Sequence, residues 1–396
     1  MKAQEPNSVR VLTVTNIQKD LDLSEELYLQ GVNEKDKKEK AVSKDWCIAV
    51  SSNGNRKRIG NAVFIKDDTD YLFASFLTAF KPKDNSDILP DYFFRWLTSH
   101  NVQERITSVS EGTTGLGNLD IRYLRNMDIH FPEKQEQTAI AAMLSKVDEA
   151  IAAVQGSIAA AERLKKSLMQ SLLTGRMKPD GTLRTEEEFY LDEKFGKVPV
   201  GWKVKKVKDL FYMNQNTLSS NTNADYRFRY ITIEAVNTEK IEFENCPNYS
   251  FKDSPGRARR IIKDDDILIS GVRPNLKAFA IYNKPDSYNW ICSTGFHVLT
   301  AKEKVCPQFF FYQILSSIGA SQFHSWVAGS NYPAIGDSDM KNMLLYTPPY
   351  EEQLVINQKF ESISKTQKIK QEKIAVLERL KKSLMQNLLT GRVRVN

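Results

Sequence analysis

A near-perfect duplication at an offset of 216 residues limits this 396-residue chain more than any other feature. Glu162-Arg-Leu-Lys-Lys-Ser-Leu-Met-Gln-Ser-Leu-Leu-Thr-Gly-Arg176 recurs as Glu378-Arg-Leu-Lys-Lys-Ser-Leu-Met-Gln-Asn-Leu-Leu-Thr-Gly-Arg392, identical at fourteen of fifteen positions. The same offset pairs Asn126-Met127 with Asn342-Met343, Pro132 with Pro348, Glu136-Gln137 with Glu352-Gln353 and Ile140 with Ile356. Further upstream, Leu89-Pro-Asp-Tyr-Phe-Phe-Arg-Trp96 resembles Cys306-Pro-Gln-Phe-Phe-Phe-Tyr-Gln313, in each case a proline opening an aromatic helix. Little else matches. Such self-similarity implies two copies of one unit, with helices kept alike and heads free to differ.

The repeated stretches read as long helices. From Ile140, apolar or small residues fall at 144, 147, 151, 154, 158 and 161, close to the spacing of a coiled-coil seam, and Leu164, Leu168 and Leu172 continue it with a phase shift. The second stripe runs Ile356, Phe360, Ile363 and, after polar Thr366 and Gln367, Ile374, Leu377, Leu380, Leu384 and Leu388. Pro132 and Pro348 precede the starts, and Gly175 and Gly391 stand where C-cap glycines belong. A helix of about 40 residues spans roughly 60 Å. Each helix either packs on its own head or pairs antiparallel with the other and holds the heads apart; the second arrangement is expected.

The heads read as mixed α/β, with β-rich runs at Val11 to Ile17, Trp46 to Ser51, Ala62 to Ile65, Tyr230 to Val236, Asp266 to Ser270, Ala278 to Tyr282 and His297 to Ala301. The expected fold is therefore α+β: two mixed α/β domains separated by two long antiparallel coiled-coil-like helices with pseudo-two-fold symmetry. The expected divisions are 1–130 and 179–346 for the heads, and 131–178 and 347–396 for the helices.

Composition narrows the class. No apolar run reaches the roughly 18–20 residues of a membrane span, and the polar Met1 to Arg10 lacks a signal-peptide core. Cys47, Cys246, Cys292 and Cys306 are scattered without metal-binding spacing and read as reduced thiols of a cytoplasmic protein. The net charge of +7 lies mostly around the helices, so any DNA surface on the heads is local. Neither a phosphate loop nor a zinc constellation occurs, and His100, His130, His297 and His324 are isolated.

Two like units on paired helices suit the pseudo-dyad of B-DNA, with heads about 34 Å or a multiple apart meeting successive major grooves. Diverged heads would then read different half-sites. The Pro-x-x-x-Glu-Gln-x-x-Ile helix start, the Glu-Arg-Leu-Lys-Lys-Ser-Leu-Met-Gln-x-Leu-Leu-Thr-Gly-Arg helix end and the two dissimilar heads resemble the specificity subunit of type I restriction–modification systems, over essentially the whole chain. That resemblance implies a non-catalytic subunit bound to double-stranded DNA, each head reading half of a bipartite asymmetric site. It implies helices that set the spacer and dock two methyltransferase subunits, with restriction/translocase subunits joining for cleavage. Adenine-N6 methylation with S-adenosylmethionine, and ATP and Mg use, would belong to those partners, leaving no cofactor in this chain.

The second unit opens with Val198-Pro-Val-Gly-Trp202-Lys-Val, similar to the usual start of a recognition domain, whereas the first reaches Val11-Leu-Thr-Val without it. Truncation, a misassigned start, or completion by another segment would each explain this. A scaffold with a degenerate first head is the alternative function.

Base readout needs Arg, Lys, Asn, Gln, Ser or Thr at groove edges. After a β run in the first head come Asn53, Asn55, Arg56, Lys57 and Arg58; at the matching place in the second come Arg273, Asn275 and Lys277. Each set is either a DNA contact or a solvated turn. Arg257, Arg259 and Arg260 are a denser cluster, with pairing to Asp264, Asp265 and Asp266 as the competing reading. Glycine loops carrying Thr113, Thr114, Asn331 and Tyr332 are further candidates. On the helices, Lys165, Lys166, Lys381 and Lys382 are candidate partner contacts, though shared helix packing would also keep them alike. Thr347-Pro-Pro-Tyr350 resembles an amino-methyltransferase motif, but Thr is unusual there; it reads as the proline start of the second helix.

Overall fold

A computed structural model describes residues 8–110, 116–327 and 334–395. The chain forms two compact units that cut across chain order: Met1–Ser157 with Lys370–Asn396, and Ile158–Ile369. The expected divisions follow the chain instead. The difference arises because each long helix runs from one unit into the other.

In the first unit, strands β1 (Val9–Leu12), β2 (Leu27–Leu29), β3 (Cys47–Val50), β4 (Ala62–Phe64), β5 (Tyr71–Phe73) and β6 (Leu77–Phe80) build two sheets, ordered β2-β1-β5 and β4-β3-β6. β1 lies antiparallel to β2 and parallel to β5, while β3 is antiparallel to both its neighbours. All four residues of β3 are buried, and the alternation of a strand divides them between two faces. Ile48 and Val50 join Leu12, Val63 and Tyr71 in one core, and Cys47 and Ala49 face Trp96, Val102 and Ile106 of helices α1 (Pro90–Leu97) and α2 (His100–Val109). The β-rich run expected to reach Ile17 stops at Leu12. Asn16 ends it: its Oδ1 accepts from Thr13 N at 2.8 Å and its Nδ2 donates to Asp22 O at 2.8 Å, a local turn that outcompetes the ladder.

Helix α3 (Lys134–Leu173) has 40 residues, and the chain then passes through β7 (Lys203–Lys206) and β8 (Phe211–Met213) into the second head. There β9 (Arg227–Ile231), β10 (Asn248–Ser250), β11 (Ala258–Ile261), β12 (Ile267–Ser270), β13 (Phe279–Ile281), β14 (Trp290–Ser293) and β15 (Phe296–Ala301) repeat the first head's plan. The sheets are ordered β10-β9-β14-β11 and β8-β15-β12-β13, each one strand wider than its counterpart. β9 is again antiparallel to one neighbour and parallel to the other, and β12 repeats the two-faced burial of β3. The expected Tyr230 to Val236 strand breaks at Ile231, where Thr232 Oγ1 accepts from Ala235 N in a turn. Helices α4 (Pro307–Leu315) and α5 (Ser317–Val327) follow, then β16 (Leu344–Thr347), paired antiparallel with β7, and α6 (Tyr350–Leu388). Thr347-Pro-Pro-Tyr350 thus joins β16 to α6, and Pro348 and Pro349 carbonyls accept from the first helical turn.

The long helices pack antiparallel within each unit. In the first, Glu136 meets Arg394, Asp148 meets Lys381 and Ser157 meets Lys370. Ile140 and Leu144 share a core with Tyr92, Met385, Leu388 and Leu389. In the second, Leu172 and Leu173 share one with Phe309, Ile356 and Phe360. The first copy of the repeated helix end therefore completes the second head's unit, and the second copy completes the first head's. Seam positions Ile140, Leu144 and Ile151 are buried, but Leu164 and Leu380, read as part of the stripe, are 54% and 46% exposed. There the phase shift hands the inner face to Lys165 and Lys381.

The motif at each helix start has a structural duty. Gln137 is buried; its Oε1 accepts from Leu89 N, the N-cap of α1, and its Nε2 donates to Asp87 O and Pro132 O, each at 2.8 Å. Gln353 repeats this, accepting from Cys306 N at the start of α4 and donating to Pro348 O, both at 2.9 Å. Glu136 binds Arg394 and accepts from Val395 N, while Glu352 accepts from Arg184 Nη2 and Trp202 Nε1. Among the described residues, no helix is long and apolar enough to cross a membrane.

Candidate nucleic-acid interface

The donor-rich loops expected in the heads leave equivalent strands, β3 and β12. Ser52–Asn53 pairs antiparallel with Gly117–Asn118, the segment that follows the helices of the first head. In the second head Val272 bridges Ala334, and Ile335 N donates to Gly271 O at 2.8 Å. Both heads thus join the loop after the central strand to the segment just downstream of the glycine loop. Gly117 permits this approach: a Cβ there would lie 2.5 Å from Ile59 Cδ1.

Within the first loop, Asn53 Oδ1 accepts from Asn55 N, and Asn55 caps the turn Arg56–Arg58 by accepting from Lys57 N. Asn55, Arg56 and Lys57 are exposed. Arg58 is half-buried, and its guanidinium donates to Val14 O at 2.9 Å and Ile17 O at 2.8 Å and holds the loop after β1. The second loop divides similarly. Arg273 and Asn275 are exposed, whereas Lys277 Nζ donates to Leu315 O at 3.0 Å at the C-terminal end of α4, where a cation suits the helix dipole. Arg273 and Lys277 both take left-handed φ values, +48° and +50°, which holds the turn in one shape.

The arginine cluster does not pair with the acidic run. Arg259 donates to Ser254, Pro255 and Ala258 oxygens and covers Phe251, its guanidinium carbon 4.5 Å from the ring centroid. Arg260 donates to Thr217. Asp264 accepts from Lys284 N, Asp265 from Gln308, and Asp266 from Thr300. Arg257 is the exposed member, and its carbonyl accepts from Thr294 N, next to Gly295, whose carbonyl accepts from Gly271 N. It therefore stands beside the Arg273 loop, an adjacency hidden in sequence by the separation of β11 from β12. Thr113, Thr114, Asn331 and Tyr332 lie outside the described residues.

A support that the sequence reading missed lies under the second loop. His297 is buried, its Nε2 3.1 Å from Ile335 O and its Nδ1 3.0 Å from Asp337 Oδ1, and burial pulls its pKa down. Gly271 must lack a side chain because a Cβ would lie 2.9 Å from His297 Nε2.

The helix lysines separate into two kinds. Lys381 pairs with Asp148 at 2.6 Å, and Asp148 also accepts from the buried Arg95. Burial raises the Asp148 pKa, but hydrogen bonds from Lys381 and Arg95 outweigh it and leave the group below the usual carboxylate range. The second unit places Lys165, Ser364 and Tyr312 at these positions. Lys165 pairs with Glu239 at 3.3 Å and sits 5.2 Å from the Tyr312 ring centroid, and burial pushes the Tyr312 hydroxyl up to about 12. Lys165 and Lys381 are thus used internally, while Lys166 and Lys382 remain exposed.

Asp148→Asn is expected to cost about 1–3 kcal/mol, between the values of surface and buried pairs, because the carboxylate is only partly screened. Since the folded pKa is lowered, the contribution is present above the unfolded value near 4 and fades as pH falls through the folded one. Urea denaturation of both proteins at pH 7 and pH 3 measures it; an unchanged difference between them would refute the assignment.

Two units of one plan, with exposed donors on equivalent loops and paired helices binding both, define a duplicated recognition protein. Residues 5–163 and 199–379 match the family of the type I restriction modification DNA specificity domain, to which the chain belongs. It is 23% identical over 325 residues to the type I restriction enzyme MjaVIII specificity subunit of Methanocaldococcus jannaschii, covering 80% of this chain and 74% of that protein. It is 24% identical over 390 residues to the putative MjaX specificity subunit of the same organism, covering 95% and 84%. The fold is also that of the type I restriction–modification S subunit from M. genitalium, at a TM-score of 0.51 and 15% identity over 96% of this chain and 88% of that one. A chain from a structural study of type I system assembly and conformational transition superposes at a TM-score of 0.58 and 15% identity, covering 96% and 91%. The chain is a type I DNA specificity subunit.

Proposed function

We propose that each head reads one half of a split, asymmetric DNA sequence, and that the paired helices set the distance between the halves. One observation carries this. Equivalent loops on equivalent strands present different exposed donors, Asn55, Arg56 and Lys57 in one head and Arg273, Asn275 and neighbouring Arg257 in the other. A shared frame that presents different donor side chains would read two different half-sites. The subunit itself is non-catalytic in this reading. Methylation of adenine N6 with S-adenosylmethionine belongs to two methyltransferase subunits, and ATP- and Mg-dependent cleavage to restriction/translocase subunits.

The docking sites for the methyltransferase subunits are read from what remains of the repeat. Many identical positions are used internally: Glu136 and Glu352, Gln137 and Gln353, Lys165 and Lys381, Leu172 and Leu388. The exposed identical remainder includes Arg163, Leu164, Lys166 and Gln170 with Arg379, Leu380, Lys382 and Gln386, a pattern that suits two equivalent partner surfaces.

Mapping N6-methyladenine in cells with and without the chain tests the reading. A split motif is expected to vanish without it. The double variant Arg56→Ala/Lys57→Ala should weaken methylation of that motif about tenfold or more, from a loss of about 1–3 kcal/mol per specific contact. An unchanged methylome on deletion would overturn the proposal.

A further inference from the structure

Two backbone bonds in each head match the loop edges residue by residue. Leu119 N donates to Ser51 O and Ile335 N to Gly271 O, each at 2.8 Å. Behind them Ser51 N donates to Phe76 O, as Gly271 N does to Gly295 O. Ser51 therefore corresponds to Gly271, and the cross-strand pair Ser52–Asn118 to the pair Val272–Ala334. Residues opposite each other in such a pair share a face, and the chemistry on that face differs between the heads. In the first, Ser52 is buried and its hydroxyl donates to Gly117 O. Asn118 is left as the exposed member, its amide without a partner among the described residues. Arg56 runs alongside, since a Cβ on Gly117 would lie 3.2 Å from Arg56 Cγ. In the second head the same two positions hold hydrocarbon: Val272 is 42% exposed and Ala334 is exposed.

Resting on the half-site reading above, we propose that this pair of positions reads one base in each half-site, Asn118 an adenine and Val272 a thymine. A carboxamide carries a donor and an acceptor side by side, and adenine presents the complementary N7 acceptor and N6 donor in the major groove. Val272 has neither group, so it selects a base by apolar contact alone, and thymine is the base with a methyl group in that groove. Next along the chain stand Asn53, whose Oδ1 already accepts from Asn55 N, and its counterpart Arg273, held at a φ of +48°. The backbone frame is thus kept while single residues on it change the base that is read.

The test maps N6-methyladenine in cells carrying the full chain, its deletion, Asn118→Ala or Val272→Ser. Both residues are exposed, so the variants are expected to fold, and an unchanged melting temperature checks it. Asn118→Ala should relax one A·T position in one half of the split motif, lowering discrimination there about tenfold or more and leaving the other half as it was. Val272→Ser should relax one A·T position in the other half instead. Methylation by the purified wild-type complex then tests the atoms. It should weaken with 7-deazaadenine at the first position and with deoxyuridine replacing thymine at the second, and each variant should be indifferent to its own analogue. A motif lost on deletion but unaltered in both variants would overturn the assignment and spare the half-site reading. Relaxation at a G·C position, or both variants acting on the same half, would overturn it equally. An unchanged methylome on deletion would remove the half-site reading and this assignment together.

Discussion

Replacing Gln137 with Ala should destabilise the first unit by about 3–5 kcal/mol, a large loss for a side chain with no charge and no ligand. The cause is a set of orphaned backbone groups. Gln137 is buried and satisfies Leu89 N–H, Asp87 C=O and Pro132 C=O at once. Each buried polar group left unpaired costs about 1–3 kcal/mol, and these three, part-buried and close together with Asp87 itself exposed, do not add fully. The damage falls at the start of α1, whose Tyr92 and Trp96 carry two of the unit's cores. Gln137→Glu separates the roles: it keeps an acceptor for Leu89 N–H but loses both donations and adds a buried charge, so it should be no better than Ala. Gln353→Ala should cost about 2–4 kcal/mol in the second unit, since it strands two groups, Cys306 N–H and Pro348 C=O. Urea denaturation, with hydrogen exchange resolving residues 87–97 from 304–315, measures both. A loss below about 1 kcal/mol for Gln137→Ala would mean that water or a neighbour replaces the amide.

This bears on how much of the fold was readable in advance. Repeat and periodicity located both long helices, because a sustained apolar stripe after a proline leaves few alternatives. The antiparallel pairing was also readable. What was not readable is that each repeated helix end serves the other head's unit: Leu172 packs on Phe309 and Leu388 on Tyr92, and neither pair is near in sequence. Local pattern carries no information on such distant partners. The phase shift was visible as Leu164 and Leu380, yet its outcome, leucines out and lysines in, depended on Asp148 and Glu239 waiting on the inner side.

The candidate interface was readable as two loops but not residue by residue. An arginine in a loop looks the same whether it faces solvent or carbonyl oxygens. Arg58 and Lys277 turned inward because uncapped carbonyls, at Val14, Ile17 and Leu315, lay within reach. Arg257 joined the second loop only through a strand pairing that composition does not announce. Strands as short as Tyr71–Phe73 carried too few residues for their alternation to stand out.

The duplicated helix ends also allow a comparison in which identical local sequences should respond differently. Gly175 and Gly391 close the two copies with φ of +69° and +71°, and both N–H groups reach the carbonyl three residues back, at Leu172 and Leu388. A left-handed backbone costs a non-glycine residue about 1–2 kcal/mol, so Gly391→Ala, whose new methyl meets nothing within 4 Å, should lose about that much. Gly175→Ala should lose more. Its Cβ would lie 2.2 Å from Pro199 Cγ and 3.2 Å from the Trp202 ring, and neither proline nor a buried indole can swing aside. Relief requires Val198 to Trp202 to lift from the core, which adds an overpacking cost of about 1–3 kcal/mol and brings the total to about 2–5 kcal/mol. Trp202 fluorescence should shift to the red in Gly175→Ala and stay fixed in Gly391→Ala. Equal losses from the two variants would show that the Val-Pro-Val-Gly-Trp segment is not seated against the helix end.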